Sequence, residues 1–135
     1  MVISSLTLNL YDILSATLLG MLLGALWYSS IAFGPAWMRS INKTPEALGN
    51  PTGPMIGSVV ASLLTAIGVT ALHAAIGISS AAQAISLGLL LGLLIIFPAL
   101  LSDNLFCGWG RSLLLIQAGY RVLAVIVMSV AVYVV

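Results

Sequence analysis

Residues 81–101 read AAQAISLGLLLGLLIIFPALL and contain no Lys, Arg, Asp, Glu or His. At about 1.5 Å of rise per residue, a helix of this length spans about 30 Å, the depth of a bilayer's hydrocarbon core. A helix that is apolar on every side belongs in a large protein core or in lipid. A chain of 135 residues has too high a surface-to-volume ratio to build such a core. The run is therefore a membrane span.

The rest of the chain agrees. It is 61% hydrophobic and 5% charged, with a mean hydropathy of +1.23. Soluble domains carry roughly a quarter charged residues, so most of this surface must face lipid. Three more segments qualify as spans: about 13–33, 54–76 and 112–135. Helices satisfy their own backbone groups in lipid, and the short alternating segments of a transmembrane barrel are missing. The expected fold is all-α: a single domain over residues 1–135, with four transmembrane helices in an up-down bundle. The first segment has no Lys or Arg before it and too long an apolar core for a cleaved signal peptide, so it is expected to be retained.

The connections set the expected orientation. GPAWMRSINKTPEALGNPTG (34–53) carries Arg39 and Lys43, with Thr44-Pro45-Glu46 set to begin a short helical turn under a Thr44 N-cap. SDNLFCGWGR (102–111) carries Arg111, while GISS (77–80) has room only for a tight hairpin. The positive-inside rule then places 34–53 and 102–111 in the cytoplasm and both termini outside, in the cell (inner) membrane. Trp27, Phe33, Trp37, Phe106 and Trp109 are expected to anchor the cytoplasmic interface.

Small residues give the packing faces. Gly20 and Gly24 share a face of the first helix, and Gly88 and Gly92 share one on the third that continues to Ala99 and Ser102. Together with Gly119 they let backbones approach closely, which is what holds helices together in lipid. On the second helix Ser58, Ser62, Thr65 and His73 align. They form either a packing stripe or a polar path.

Arg121 stands about 14 Å into the last span, near the bilayer midplane. Its charge is permanent and costs a few kcal/mol there. It should face inward, and helical side chains lean toward the helix N-terminus, here the cytoplasmic end. Asp103 is the acidic residue nearest that level and the preferred partner. Tyr28, Ser29, Asn104, Gln117 and Tyr120 complete the expected polar cluster, which is either a structural clamp or a ligand site. Pro98 is expected to kink the third helix and free backbone carbonyls.

The chain resembles a known family at two places. GALWYSSIAFGPAWMR (24–39) is similar to the G-x-x-W-Y-S-P-x-x-F-G-x-x-W signature of domain-of-unknown-function family 1761. DNLFCGWGRSLLLIQAGYR (103–121) is similar to that family's Asn-Leu-Phe loop followed by Ala-Gly-Tyr-Arg. Ser30 stands where the pattern has proline, and Asp103 where it has a second Asn. The resemblance implies a small bacterial-type membrane protein and supplies no reaction.

Several functions are disfavoured. A net charge of +1 gives no footprint for nucleic acid. One cysteine, Cys107, allows no internal disulfide, and one histidine offers no metal site. No nucleophile elbow or phosphate-cradling loop is present, so neither an enzyme nor a cofactor is expected. Two roles remain. The chain is a self-associating or accessory subunit of a membrane assembly, with lipids, copies of itself or a larger complex as partners. Alternatively, it is a small oligomeric channel or carrier with Arg121 at the site of an anionic or polar solute.

Overall fold

The computed structural model describes residues 7–135, so the domain is described from Thr7 onward. The described residues form helices and no strand, and four helical spans are long and apolar enough to cross a membrane. The first is α1 (Leu10–Trp27). A short helix α2 (Gly34–Ser40) and a 3-10 turn (Pro45–Leu48) occupy the first connection. The second span is α3 (Thr52–Ile76). The third is continuous from Ala81 to Cys107, built from α4 (Ala81–Leu90), a π-helical turn (Leu91–Ile96) and α5 (Phe97–Cys107). The fourth is α6 (Arg111–Val134).

Local chemistry sets the boundaries. Asn9 caps α1 by accepting from the Tyr11 N–H at 2.8 Å. α1 ends at Trp27, short of the expected end at Phe33, because the chain folds into a tight turn. The Phe33 N–H donates back to the Trp27 carbonyl at 2.8 Å, and the Gly34 N–H to the Ser29 carbonyl at 3.1 Å. A Cβ on Gly34 would lie 2.5 Å from the Tyr28 carbonyl oxygen, so only glycine closes this turn. Thr44 is the residue before the 3-10 turn, as expected, but its side chain makes no capping bond. α3 stops at Gly77, which takes a left-handed conformation. Ser80 caps α4 by accepting from the Gln83 N–H at 3.2 Å.

The loop expected at 102–111 is mostly helix. α5 runs on to Cys107 and ends at left-handed Gly108. The Asn104 amide donates to the Gly110 carbonyl at 3.0 Å, pinning the short turn into α6.

α6 is the hub. It packs on α1, on α3 and along the whole third span, whereas α3 and the third span make little direct contact despite their short hairpin. At the end that holds Thr7 and the C-terminus, α3, α6 and α4 are stitched together. Toward the other end residues 52–60 of α3 are all exposed.

Glycine governs the two tightest seams. On α4, an added Cβ at Gly88 would sit 2.6 Å from the Ile126 Cα. At Gly92 it would sit 2.9 Å from the Val122 Cγ1. On α1, a Cβ at Gly20 would meet Ser62 Oγ at 2.8 Å, and one at Gly24 would meet the Tyr120 hydroxyl at 2.9 Å. Ala99 and Ser102, expected to extend the Gly88/Gly92 face, are exposed. The π turn explains this. The Phe97 N–H bonds the Gly92 carbonyl five residues back, just before Pro98, which has no N–H to give. One extra residue in the turn shifts the face, so Asn104 rather than Asp103 or Ser102 turns inward.

Candidate functional site

Two polar constellations lie in the spans. The first surrounds Tyr120 and Arg121. The Trp27 indole N–H donates to the Ile116 carbonyl at 3.0 Å, with its ring over Gly119, where a Cβ would lie 2.9 Å from Cζ2. The Tyr120 hydroxyl donates to the Gly20 carbonyl at 3.0 Å. Tyr28 packs edge-on to Tyr120 at 5.5 Å and to Trp37 at 5.6 Å, and Phe33 stacks tilted on Trp27 at 4.6 Å. These contacts draw the two sequence motifs, from opposite ends of the chain, into one aromatic wall.

Arg121 stands beside that wall and is exposed. Its guanidinium carbon lies 5.3 Å from the centre of the Tyr120 ring, a cation–π contact. It lines a small cleft of about 40 Å³ with Ser62 and Thr65 of α3, Ile96 of the π turn, and Tyr120 and Met128 of α6. The cleft lies between α3 and the third span, with α6 as its floor.

The expected cluster does not form as a unit. Asp103 is exposed on α5 and is not paired with Arg121. Asn104 is buried but is spent on the Gly110 carbonyl. The Ser29 hydroxyl donates to the Leu26 carbonyl at 2.7 Å. Gln117 lines a separate cavity of about 470 Å³ with Ser40, Asn42 and Trp109. Only Tyr120 touches Arg121, with Tyr28 packed on the Tyr120 ring. Among the proposed anchors, Phe33, Phe106 and Trp109 are exposed, with Phe106 at 91%, while Trp27 and Trp37 are half-buried.

The second constellation was only partly legible beforehand. His73 Nε2 lies 2.8 Å from Ser129 Oγ, and Ser129 Oγ donates to the Ala84 carbonyl at 2.6 Å. The serine has one proton and gives it to Ala84, so it accepts from His73 Nε2–H. That chain fixes the imidazole tautomer and ties α3, α6 and α4 together at a point where Ser129 is wholly buried. The sequence stripe contained His73 but not Ser129 or Thr70. The missed signal was a lone hydroxyl in the apolar run AVIVMSVAV, which in lipid must find a partner. Ser129→Ala strands both neighbours. It is expected to cost about 1–2 kcal/mol, read as earlier unfolding in a mixed-micelle denaturant titration.

The motifs now have a shared structural setting, and comparison with known proteins agrees with them. The family model described as "Protein of unknown function (DUF1761)" matches residues 11–133. The chain belongs to the DUF1761 family. No curated protein and no solved structure gives a significant match. In this DUF1761 protein the matched region takes in all four spans, the Trp27–Tyr28 turn and Arg121.

Proposed function

We propose that this DUF1761 protein is a non-enzymatic, self-associating membrane protein whose working unit contains more than one copy. The exposure of Arg121 carries the reading. Arg121 lies about 15 Å along a span of roughly 36 Å, and its own chain gives it a tyrosine ring but no acid. Facing hydrocarbon there costs at least about 2.5 kcal/mol. A second copy offers an exposed Asp103. Helical side chains lean toward their own N-termini. Arg121 therefore leans toward the Arg111 end and Asp103 leans toward the midplane, so their depths converge. The exposed 52–60 segment adds Gly53 and Gly57, four residues apart, where a Cβ would touch nothing within 4 Å. Such a face suits helix–helix contact in lipid. Photobleaching step counts of a labelled chain at low density in bilayers test this. Two or more steps per spot are expected, and single steps throughout overturn it.

A second reading rests on the π turn. π-helical turns occur often at functional sites, and this one borders the Arg121 cleft. In that reading Arg121 receives an anionic or polar solute within an oligomeric carrier. Arg121-dependent anion flux into liposomes is its signature.

For orientation, we place the 34–53 and 102–111 ends in the cytoplasm of a cell (inner) membrane. Arg39, Lys43 and Arg111 support this, because the opposite end has no Lys or Arg. Cys107, exposed and the sole cysteine, provides the check. An impermeant maleimide is expected to label it only after cells are permeabilised. Equal labelling of intact cells reverses the orientation.

A further inference from the structure

The end of the bundle opposite Arg111 holds a cavity of about 240 Å³, lined by Asn9 and Asp12 of the first helix and its cap, Thr70 and His73 of α3, and Tyr133 of α6. Thr70 and His73 are 3% and 8% exposed. Thr70 Oγ1 and Asp12 Oδ1 are shut away from the surface, yet neither has a hydrogen-bond partner among the described residues. A buried polar atom without a partner is costly, and here two lie beside one cavity. No Lys or Arg lies at this end of the chain, because all four are at positions 39, 43, 111 and 121.

We propose that this cavity binds a primary ammonium group, either the head of an ethanolamine lipid or a small alkylammonium solute. Charge and hydrogen bonding both select it. The Asp12 carboxylate only accepts. In the tautomer set by Ser129, neutral His73 keeps its proton on Nε2 and offers a lone pair on Nδ1. The Thr70 hydroxyl accepts as well. A group with one positive charge and three N–H donors answers all three. An alkali or alkaline-earth ion wants a shell of oxygens and finds one carboxylate and a few neutral groups. A transition metal wants a third strong ligand, and among the described residues no three His, Cys, Asp or Glu are grouped. A trimethylammonium group has the charge but no N–H. The site lies at the end of the spans beside exposed Thr7, Asn9 and Tyr133. This is the level of lipid headgroups and is also reachable by a solute.

The test compares phosphatidylethanolamine with phosphatidylcholine of the same acyl chains, by native mass spectrometry of the full chain in mild detergent. Retention of the ethanolamine lipid is expected to exceed that of the choline lipid about tenfold, as for loss of a charge-assisted hydrogen-bond set. Asp12→Asn is expected to abolish the preference. Thr70→Val, which keeps the side chain's shape, is expected to keep the fold and weaken the preference severalfold, so it carries the test should Asp12→Asn not fold. Ethylammonium chloride separates the sources. If it displaces the lipid, the ammonium alone suffices; if it does not while the lipid preference stands, the ligand is the lipid head. Equal retention of the two lipids by the wild type, together with no stabilisation by ethylammonium chloride, overturns the proposal. So does a preference unchanged in Thr70→Val and Asp12→Asn, or stabilisation that follows protons alone without amine. Arg121 lies at another level of the bundle, so this outcome is independent of the self-association reading.

Discussion

Gly88→Val is expected to separate the third span from the fourth. The first atom of the new side chain would sit 2.6 Å from the Ile126 Cα and 3.2 Å from its Cβ. Those are atoms of the α6 backbone and its root, so no rotamer change relieves the overlap. α6 would have to move away, and the bonded pair directly beside this seam would open with it. Ser129 Oγ reaches the Ala84 carbonyl at 2.6 Å only while α4 and α6 stay close. Overpacking of this kind costs about 1–3 kcal/mol, and the broken Ser129 bridge adds about 1 kcal/mol. The measurement is a denaturant titration in mixed micelles, with Gly68→Ala as control, because a Cβ at Gly68 meets nothing within 4 Å. A Gly88→Val protein as stable as the control would mean that the α4–α6 seam is not what holds the bundle.

The second large effect concerns assembly. Arg121→Ala is expected to turn an oligomer into a monomer. In the proposed assembly it removes the charge that needs an acid and leaves Asp103 of the neighbouring copy without its partner. Breaking one side of a buried ion pair costs about 3 kcal/mol, or roughly a hundredfold in association. Asp103→Asn should act in the same direction, leaving Arg121 at mid-span without an acid. Exchanging the two charges, Arg121→Asp with Asp103→Arg, should restore part of the association, because the interacting pair is rebuilt in reverse. Bilayer photobleaching reads all four proteins. If Arg121→Ala associates as well as the wild type, Arg121 is not at the contact, and its cleft is better understood as a solute site. Loss in both single variants without recovery in the exchange would show that each residue matters without pairing.

The four spans were legible because lipid imposes one requirement on a chain: about twenty residues without charge, closed into helices. Composition and run length meet that test without reference to neighbours, so Pro54–Ile76 and Ser112–Val135 lie within a few residues of α3 and α6, while Ala81–Leu101 starts with the third span and stops short of its end at Cys107. The family motifs were equally legible, since each is a contiguous string. Partnership was not. The Arg121–Asp103 pair was inferred from depth along ideal α-helices. The structure contains a π turn at Leu91–Ile96, and one extra residue turns Asn104 to the inside and Asp103 to the outside. Helical periodicity is counted from sequence, but a local change of pitch is not visible in it.

The same limit hid the His73–Ser129–Ala84 chain. Its members come from three spans, and one of them is a backbone carbonyl, which carries no side-chain signature. The open side between α3 and the third span was hidden as well, because a four-residue hairpin suggests close antiparallel neighbours. Instead α6 takes the central place, as the Gly88–Ile126 and Gly24–Tyr120 contacts bring the third span and α1 against it. Sequence alone therefore determined the solvent, the number of spans and the family. Tertiary structure decided which polar groups meet, because helix pitch and close approach at glycine set the rotation of each span, and rotation selects the residues that face one another.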